Sequence, residues 1–257
     1  MSGRAAPEGT QAVIRALGLL KTFTRVQPEL SLAELSEASG LAKTTAHRLL
    51  TALESEGLVA RNPVTRSYRL GPAALALGAQ ALVSNDLRAV VEPELRLLAA
   101  RTGETATLEV PLEGKMLIVA EVSGRHLVTV AAELGTRWPI HATSTGKAYL
   151  AALSVDERRL LLAPPLQRLT PATIVDLEVL EKELELVRER GYATASEEIE
   201  AGASAVGAVL RNALGRPVGG ISFGGPASRF TARHVRSLGR ELAASAAKLA
   251  PLIHTMD

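Results

Sequence analysis

Residues 31–57, Ser31-Leu-Ala-Glu-Leu-Ser-Glu-Ala-Ser-Gly40-Leu-Ala-Lys-Thr-Thr-Ala-His-Arg-Leu-Leu50-Thr-Ala-Leu-Glu-Ser-Glu-Gly57, decide how the N-terminal part folds. Ser31 stands three residues before Glu34, the spacing at which hydroxyl and carboxylate satisfy each other's backbone donors at a helix start. That predicts a helix over Leu32 to Ser39. Gly40 can take a positive φ, and a second helix is expected from about Ala42 to Glu56, with Gly57 as its stop. Two helices joined by a tight glycine turn form a helix-turn-helix. On the second of them Ala46, Leu49, Leu50 and Leu53 share one face, while Thr44, His47, Arg48 and Thr51 share the opposite one.

Working outward, Val13, Ala16, Leu17 and Leu20 recur at helical spacing and predict an amphipathic helix from Gln11 to Phe23. On the other side, Leu58 to Arg61 and Arg66 to Leu70 flank the turn-rich Asn62-Pro63-Val64-Thr65 and read as a small hairpin, a candidate wing. Side chains near the start of a reading helix reach base edges in a major groove, and Lys43, Thr44, Thr45, His47 and Arg48 all donate or accept hydrogen bonds. Ser31 joins them as a candidate contact at the preceding helix start. Arg61, Arg66 and Arg69, with no acid between Leu58 and Leu70, suit phosphate. The chain carries 29 Lys+Arg against 27 Asp+Glu, a formal net charge of +2, so any DNA affinity has to come from such local clustering.

Gly71-Pro72 ends the hairpin and opens an apolar segment, Ala73 to Val83, followed by helical spacing from Asp86 to Arg101. The first of these is too apolar to stand in water alone, and burial against a second subunit is the simplest remedy. From Thr105 the pattern changes to short strands, at Thr107 to Val110, Met116 to Ala120 and Leu127 to Val130. Helices are expected at Gly146 to Leu153, Val155 to Leu162 and Ile174 to Arg190, then strands near Tyr192 to Ala195, Ala203 to Arg211 and Pro217 to Phe223, and a last helix from Thr231. Strands with irregularly inserted helices imply an α+β class. The expected organisation is a flexible N-terminus (1–10), a winged helix-turn-helix (11–71), a linker helix (72–86) and a second, larger domain (87–257).

The 257 residues contain no cysteine, which excludes disulfides, thiolate metal sites and a cysteine nucleophile. No stretch approaches the ~20 apolar residues of a membrane helix, and no signal core opens the chain, so a cytoplasmic protein without a membrane partner is expected. The five histidines, at 47, 126, 141, 234 and 254, are scattered rather than set at metal-ligand spacing. Neither a metal nor a cofactor is expected.

At this point the residues resemble a known family. Leu32 to Leu50, Leu53-Glu54, Gly57-Leu58-Val59 and Tyr68-Arg69-Leu70-Gly71 look like the IclR family of bacterial regulators. The likeness continues through Gly135, Pro139-Ile140-His141, Thr145-Gly146-Lys147-Ala148, Gly191-Tyr192, Glu197-Glu198, Gly202, Gly220 to Pro226 and Arg229. It implies a winged helix-turn-helix joined by a helical linker to a GAF-like sensor domain, assembled as a homodimer or dimer of dimers on palindromic double-stranded operators. It also implies a small organic acid as effector, bound near the loop before the Thr-Gly-Lys-Ala helix and along the late strands. Backbone donors of Thr145 and Gly146 at a helix N-terminus would suit a carboxylate, and Ser222 is a further polar candidate. Trp138, expected in a loop over the pocket, could stack on a ligand or pack structurally, and His141 could pair with a carboxylate or be a buried structural histidine. In glyoxylate-binding members polar side chains would stand at positions 195, 205 and 224. Here Ala195, Ala205 and Gly224 leave room and remove hydrogen bonds, which favours a larger or more apolar effector.

Two other function classes bear weighing. Ser144-Thr-Gly-Lys147 has the Ser-x-x-Lys spacing of acyl-transfer enzymes, but no Ser-Asp-Asn or Lys-Thr-Gly element accompanies it, and His141 stands where a phosphate-binding loop needs glycine. A non-enzyme is therefore expected. The other alternative is a DNA-binding protein whose second domain serves oligomerisation alone, which differs from a sensor in that no ligand alters its DNA affinity.

Overall fold

The computed structural model describes residues 7, 9–24, 27–83, 86–126 and 133–254, and the chain divides into two compact units, Met1–Ser84 and Asn85–Asp257. In the first unit the helices are α1 (Gln11–Thr22), α2 (Leu32–Ser39), α3 (Lys43–Ser55) and α4 (Pro72–Val83), and the strands are β1 (Glu29–Leu30), β2 (Val59–Arg61) and β3 (Tyr68–Leu70). The capping box forms as its spacing requires: Ser31 Oγ accepts the Glu34 N–H, and Glu34 accepts from the Ser31 N–H at 2.8 Å. Gly40 closes α2 at φ 64°, a conformation that favours glycine. Leu19, Leu35, Ala46, Leu50, Leu53, Val59 and Tyr68 meet in one buried core, so the apolar face of α3 is spent on packing.

The wing is more than a hairpin. β1, which is too short at two residues to show a sequence pattern, pairs with β3 through Glu29↔Arg69 and Leu30↔Tyr68 and makes a sheet of order β1-β3-β2. Helix α4 buries none of its described residues; Leu75 and Leu77 are 76% and 58% exposed.

The second unit begins with α5 (Asp86–Thr102) and builds one antiparallel sheet, in spatial order β6-β5-β4-β9-β8-β7, from β4 (Thr105–Leu112), β5 (Lys115–Val122), β6 (Arg137–Pro139), β7 (Ala193–Ser196), β8 (Ala203–Arg211) and β9 (Pro217–Pro226). Helices α6 (Ser144–Ala151), α7 (Val155–Leu161) and α8 (Leu177–Arg190) lie between β6 and β7 in the chain, and α9 (Ala232–Leu249) follows β9. The α+β expectation therefore holds. The strand expected at Leu127 to Val130 lies outside the described residues. Two expectations need correction. Arg137 to Pro139, expected as loop, pairs with β5, Trp138 opposite Met116. Helix α8 starts three residues later than Ile174, because the Asp176 carboxylate accepts the N–H groups of Glu178 and Val179 and fixes the start there.

Period-two alternation sorts the sheet's residues between its two faces. Ala106 and Leu108 of β4, Val206 and Ala208 of β8, and Ile221 and Phe223 of β9 pack with Val91, Leu95 and Leu98 of α5 and with Leu238 and Leu242 of α9. Their neighbours Thr105, Thr107 and Glu109, Ala205, and Ser222 and Gly224 point the other way, toward a cavity. Beyond it, α6 and α8 form a second core with Met116, Ile140, Leu150, Leu180 and Leu184.

Candidate nucleic-acid interface and ligand cavity

On α3, Lys43, Thr44, His47 and Arg48 are exposed and Thr45 is half-buried, while Ala46 and Leu50 beneath them are wholly buried. The helix has no side-chain cap at Ala42, which leaves its first-turn N–H groups without a side-chain acceptor and suited to an anion. Thr51, on the same face, donates its hydroxyl to the His47 carbonyl at 3.0 Å. Ser31 is half-buried, and its hydroxyl donates to Glu34 at 2.7 Å while accepting the Glu34 N–H at 3.3 Å, so both its hydrogen-bonding roles serve the helix start.

The wing arginines differ. Arg66 and Arg69 are exposed, and Arg66 sits at φ 60° in the turn. Arg61 lies over the Tyr68 ring, 5.6 Å from its centroid, and its Nε donates to the Arg66 carbonyl at 3.4 Å. An acid does reach this hairpin, contrary to its local sequence: Glu29 of β1 accepts from Ser67, from Thr65 at 2.9 Å and from Asn62 at 3.0 Å. Those hydrogen bonds, Ser67's first, hold the Glu29 carboxyl below its usual range. The wing turn is thus tied to the strand that precedes the reading helices.

In the second unit, the cavity on the inner face of the sheet has a volume of about 100 Å³, several times the ~10–15 Å³ that one water requires. Of the sequence candidates, Trp138, Ala195, Ala205, Ser222 and Gly224 line it. Thr145, Gly146 and His141 do not, and each has a physical reason. The Thr145 hydroxyl is fully buried and donates to Glu109 at 2.6 Å. The Gly146 N–H donates to Thr143 Oγ1 at 2.8 Å, and a Cβ there would meet the Ile140 carbonyl oxygen at 2.0 Å, so this glycine answers a close backbone approach. His141 is buried with Nε2 donating to the Gln167 carbonyl at 3.0 Å, and burial lowers its pKa, keeping the ring neutral rather than ready for a carboxylate.

The sequence candidates omit a row of polar side chains on the cavity face of β4. Thr107 Oγ1 lies 2.6 Å from Ser222 Oγ, its register partner on β9, and 3.1 Å from Glu109 Oε1. Glu109 is buried, and burial raises its carboxyl pKa, with the hydroxyls of Thr145, Thr107 and Ser222 acting in the opposite sense. The signal is present in the chain, since Thr105-Ala-Thr-Leu-Glu109 alternates polar and apolar. Glu198 also lines the cavity and pairs with Lys147 at 2.5 Å. Lys147 is 1% exposed, and its ammonium is engaged by Glu198 as a buried ion pair.

An exposed polar helix face, a basic three-stranded wing and a separate cavity-bearing sheet define the class of winged helix-turn-helix transcription regulators. Residues 12–63 match the model of the IclR helix-turn-helix domain, and residues 79–250 match that of the bacterial transcriptional regulator IclR C-terminal domain. The chain belongs to the IclR family. It is 33% identical over 232 residues to the transcriptional repressor IclR of Escherichia coli, covering 89% of this chain and 85% of that one. It is 30% identical over 233 residues to the repressor AllR of the same species, covering 89% and 86%. Among solved structures, an IclR regulator from Alicyclobacillus acidocaldarius superposes with a TM-score of 0.82 at 31% identity, covering 93% of this chain and 97% of that chain. An IclR homolog from Microbacterium hydrocarbonoxydans in complex with 4-hydroxybenzoate gives 0.75 at 27% identity, covering 93% and 99%.

Proposed function

We propose that this regulator is a homodimer, or a dimer of dimers, that represses transcription at a palindromic operator and responds to a small effector held in the cavity of its second unit. The observation that carries the reading is α3 itself: one face is sealed in the core, and the other presents Lys43, Thr44, Thr45, His47 and Arg48 outward. In this reading the start of α3 enters the major groove, and Arg66 and Arg69 hold phosphates beside it. Arg61 acts through the wing, as its stacking on Tyr68 favours, and Ser31 acts by fixing the start of α2. The uncovered Leu75 and Leu77 of α4 support pairing with a second copy. The repressors among the relatives and the 4-hydroxybenzoate complex of one of them support repression and effector control.

The effector's body would rest against Trp138, Ala195 and Ala205, beside the Ser222 hydroxyl and Gly224. An acid, as the family likeness implies, would have hydroxyls to bind but no cationic side chain among the described lining residues. The test is a gel shift on the DNA flanking the gene, followed by titration of the protein–DNA complex with candidate small molecules. A ligand that changes operator affinity in the native chain, and not in an Ala205→Phe variant that fills the cavity, supports the reading. A complex that no cavity-directed ligand alters contradicts it, since an effector acts only through differential binding.

A further inference from the structure

The lining of the cavity carries a charge pattern that an acid does not suit. Three of its residues are acidic, Glu109, Glu198 and Glu200, and no lysine, arginine or histidine stands among the described lining residues. Glu109 has no ion-pair partner among the described residues; their side-chain groups within hydrogen-bond distance of its carboxyl are all neutral hydroxyls, of Thr145 at 2.6 Å, Thr107 at 3.1 Å and Ser222 at 3.4 Å. Glu198 gives one oxygen to Lys147, while its Oε2 is buried without a hydrogen-bond partner. The Ile174 backbone N–H favours the charged form of Glu198 without making a sound hydrogen bond to it.

Lys147 balances Glu198, which leaves Glu109 as the buried carboxyl of the lining without a counter-ion, while Glu200 is exposed. A carboxylate entering this space would shed its water with no cation to receive it. An ammonium would find the reverse. It would stabilise the ionised form of Glu109, which burial otherwise disfavours, through a charge-assisted hydrogen bond. Trp138 adds an aromatic ring at the same wall, a surface on which cations and apolar bodies both rest.

Resting on the reading of this cavity as the effector site, we infer that its ligand is a small primary amine with a compact apolar or aromatic body. The amine head pairs with Glu109, and the body fills the space left by the small residues Ala195, Ala205 and Gly224.

Three probes with one body and different heads separate the classes: benzylamine, benzyl alcohol and benzoate, titrated into the full-length protein by calorimetry with thermal shift alongside. Benzylamine should bind at least tenfold tighter than benzyl alcohol and raise the melting temperature, and benzoate should do neither. Glu109→Gln, close to the native side chain in shape, should cost benzylamine at least tenfold in affinity. Ala205→Phe, with Ala205→Val as the milder version should the larger change unfold the protein, should weaken all binding. Benzoate or benzyl alcohol binding as tightly as benzylamine, and blocked by the cavity-filling variants, would overturn the amine inference while leaving the effector site standing. Binding by none of the three, or binding that the cavity variants do not touch, would overturn both.

Discussion

The two units use polar side chains in opposite ways. On α3 they stand exposed above a sealed apolar face, whereas in the second unit Glu109, Thr107 and Ser222 are buried and hydrogen-bonded together, and Lys147 and Glu198 form a buried ion pair. An exposed donor costs nothing to fold and gains its partner only on binding. A buried one has to be matched within the fold, because an unpaired polar group in the interior carries its full desolvation penalty. The contrast predicts that substitutions in the cavity unit register as stability, and substitutions on the reading face register as binding.

The largest effect should come from Lys147→Met, which leaves the Glu198 carboxylate buried without its cation. Denaturant unfolding of the variant should show a loss of ~3–5 kcal/mol; a loss below ~1 kcal/mol would mean that the pair is not desolvated as the structure has it. Ser31→Ala comes next, removing a cap, with an expected loss of ~0.5–2 kcal/mol from the first unit in the same measurement. Arg69→Ala should leave unfolding unchanged and lower the slope of log affinity against log salt by about 1, the signature of one lost phosphate contact. An unchanged slope would remove Arg69 from the interface.

Glu109 gives a subtler difference that depends on pH. Burial raises its pKa in the folded protein, so the stability it contributes is full below its unfolded value and is lost as pH rises through the folded one. Glu109→Gln has no such loss. Its melting temperature relative to the native chain should therefore climb as pH rises above the ordinary carboxylate range, and a flat difference would show that Glu109 is not held neutral.

Legibility follows the same division. The helix-turn-helix can be read directly, because Ser31, Glu34, Gly40 and the 3.6-residue spacing of Ala46, Leu50 and Leu53 are local signals, and each is answered in the structure. β1 is illegible because two residues give no periodicity, and its Glu29 brings an acid to a hairpin that looks purely basic in sequence. The cavity is half legible: positions on β8 and β9 come from family likeness, while Glu109 and Glu198 gain meaning only when the sheet sets Thr107 opposite Ser222 and α6 carries Lys147 to Glu198. Local chemistry suggests a ligand for Thr145, Gly146 and His141, but in the fold Glu109 and Gln167, distant in sequence, occupy the Thr145 hydroxyl and the His141 ring, and the Thr143 hydroxyl takes the Gly146 N–H.

The central claim is that the outward face of α3 reads base sequence, and Arg48 tests it most directly. Fluorescence anisotropy on an operator from the flanking DNA and on an unrelated duplex, at one salt concentration, should show Arg48→Ala weakened on the operator by ~1–3 kcal/mol and little changed on the unrelated DNA. Equal operator affinity for the native and Arg48→Ala proteins would contradict the account.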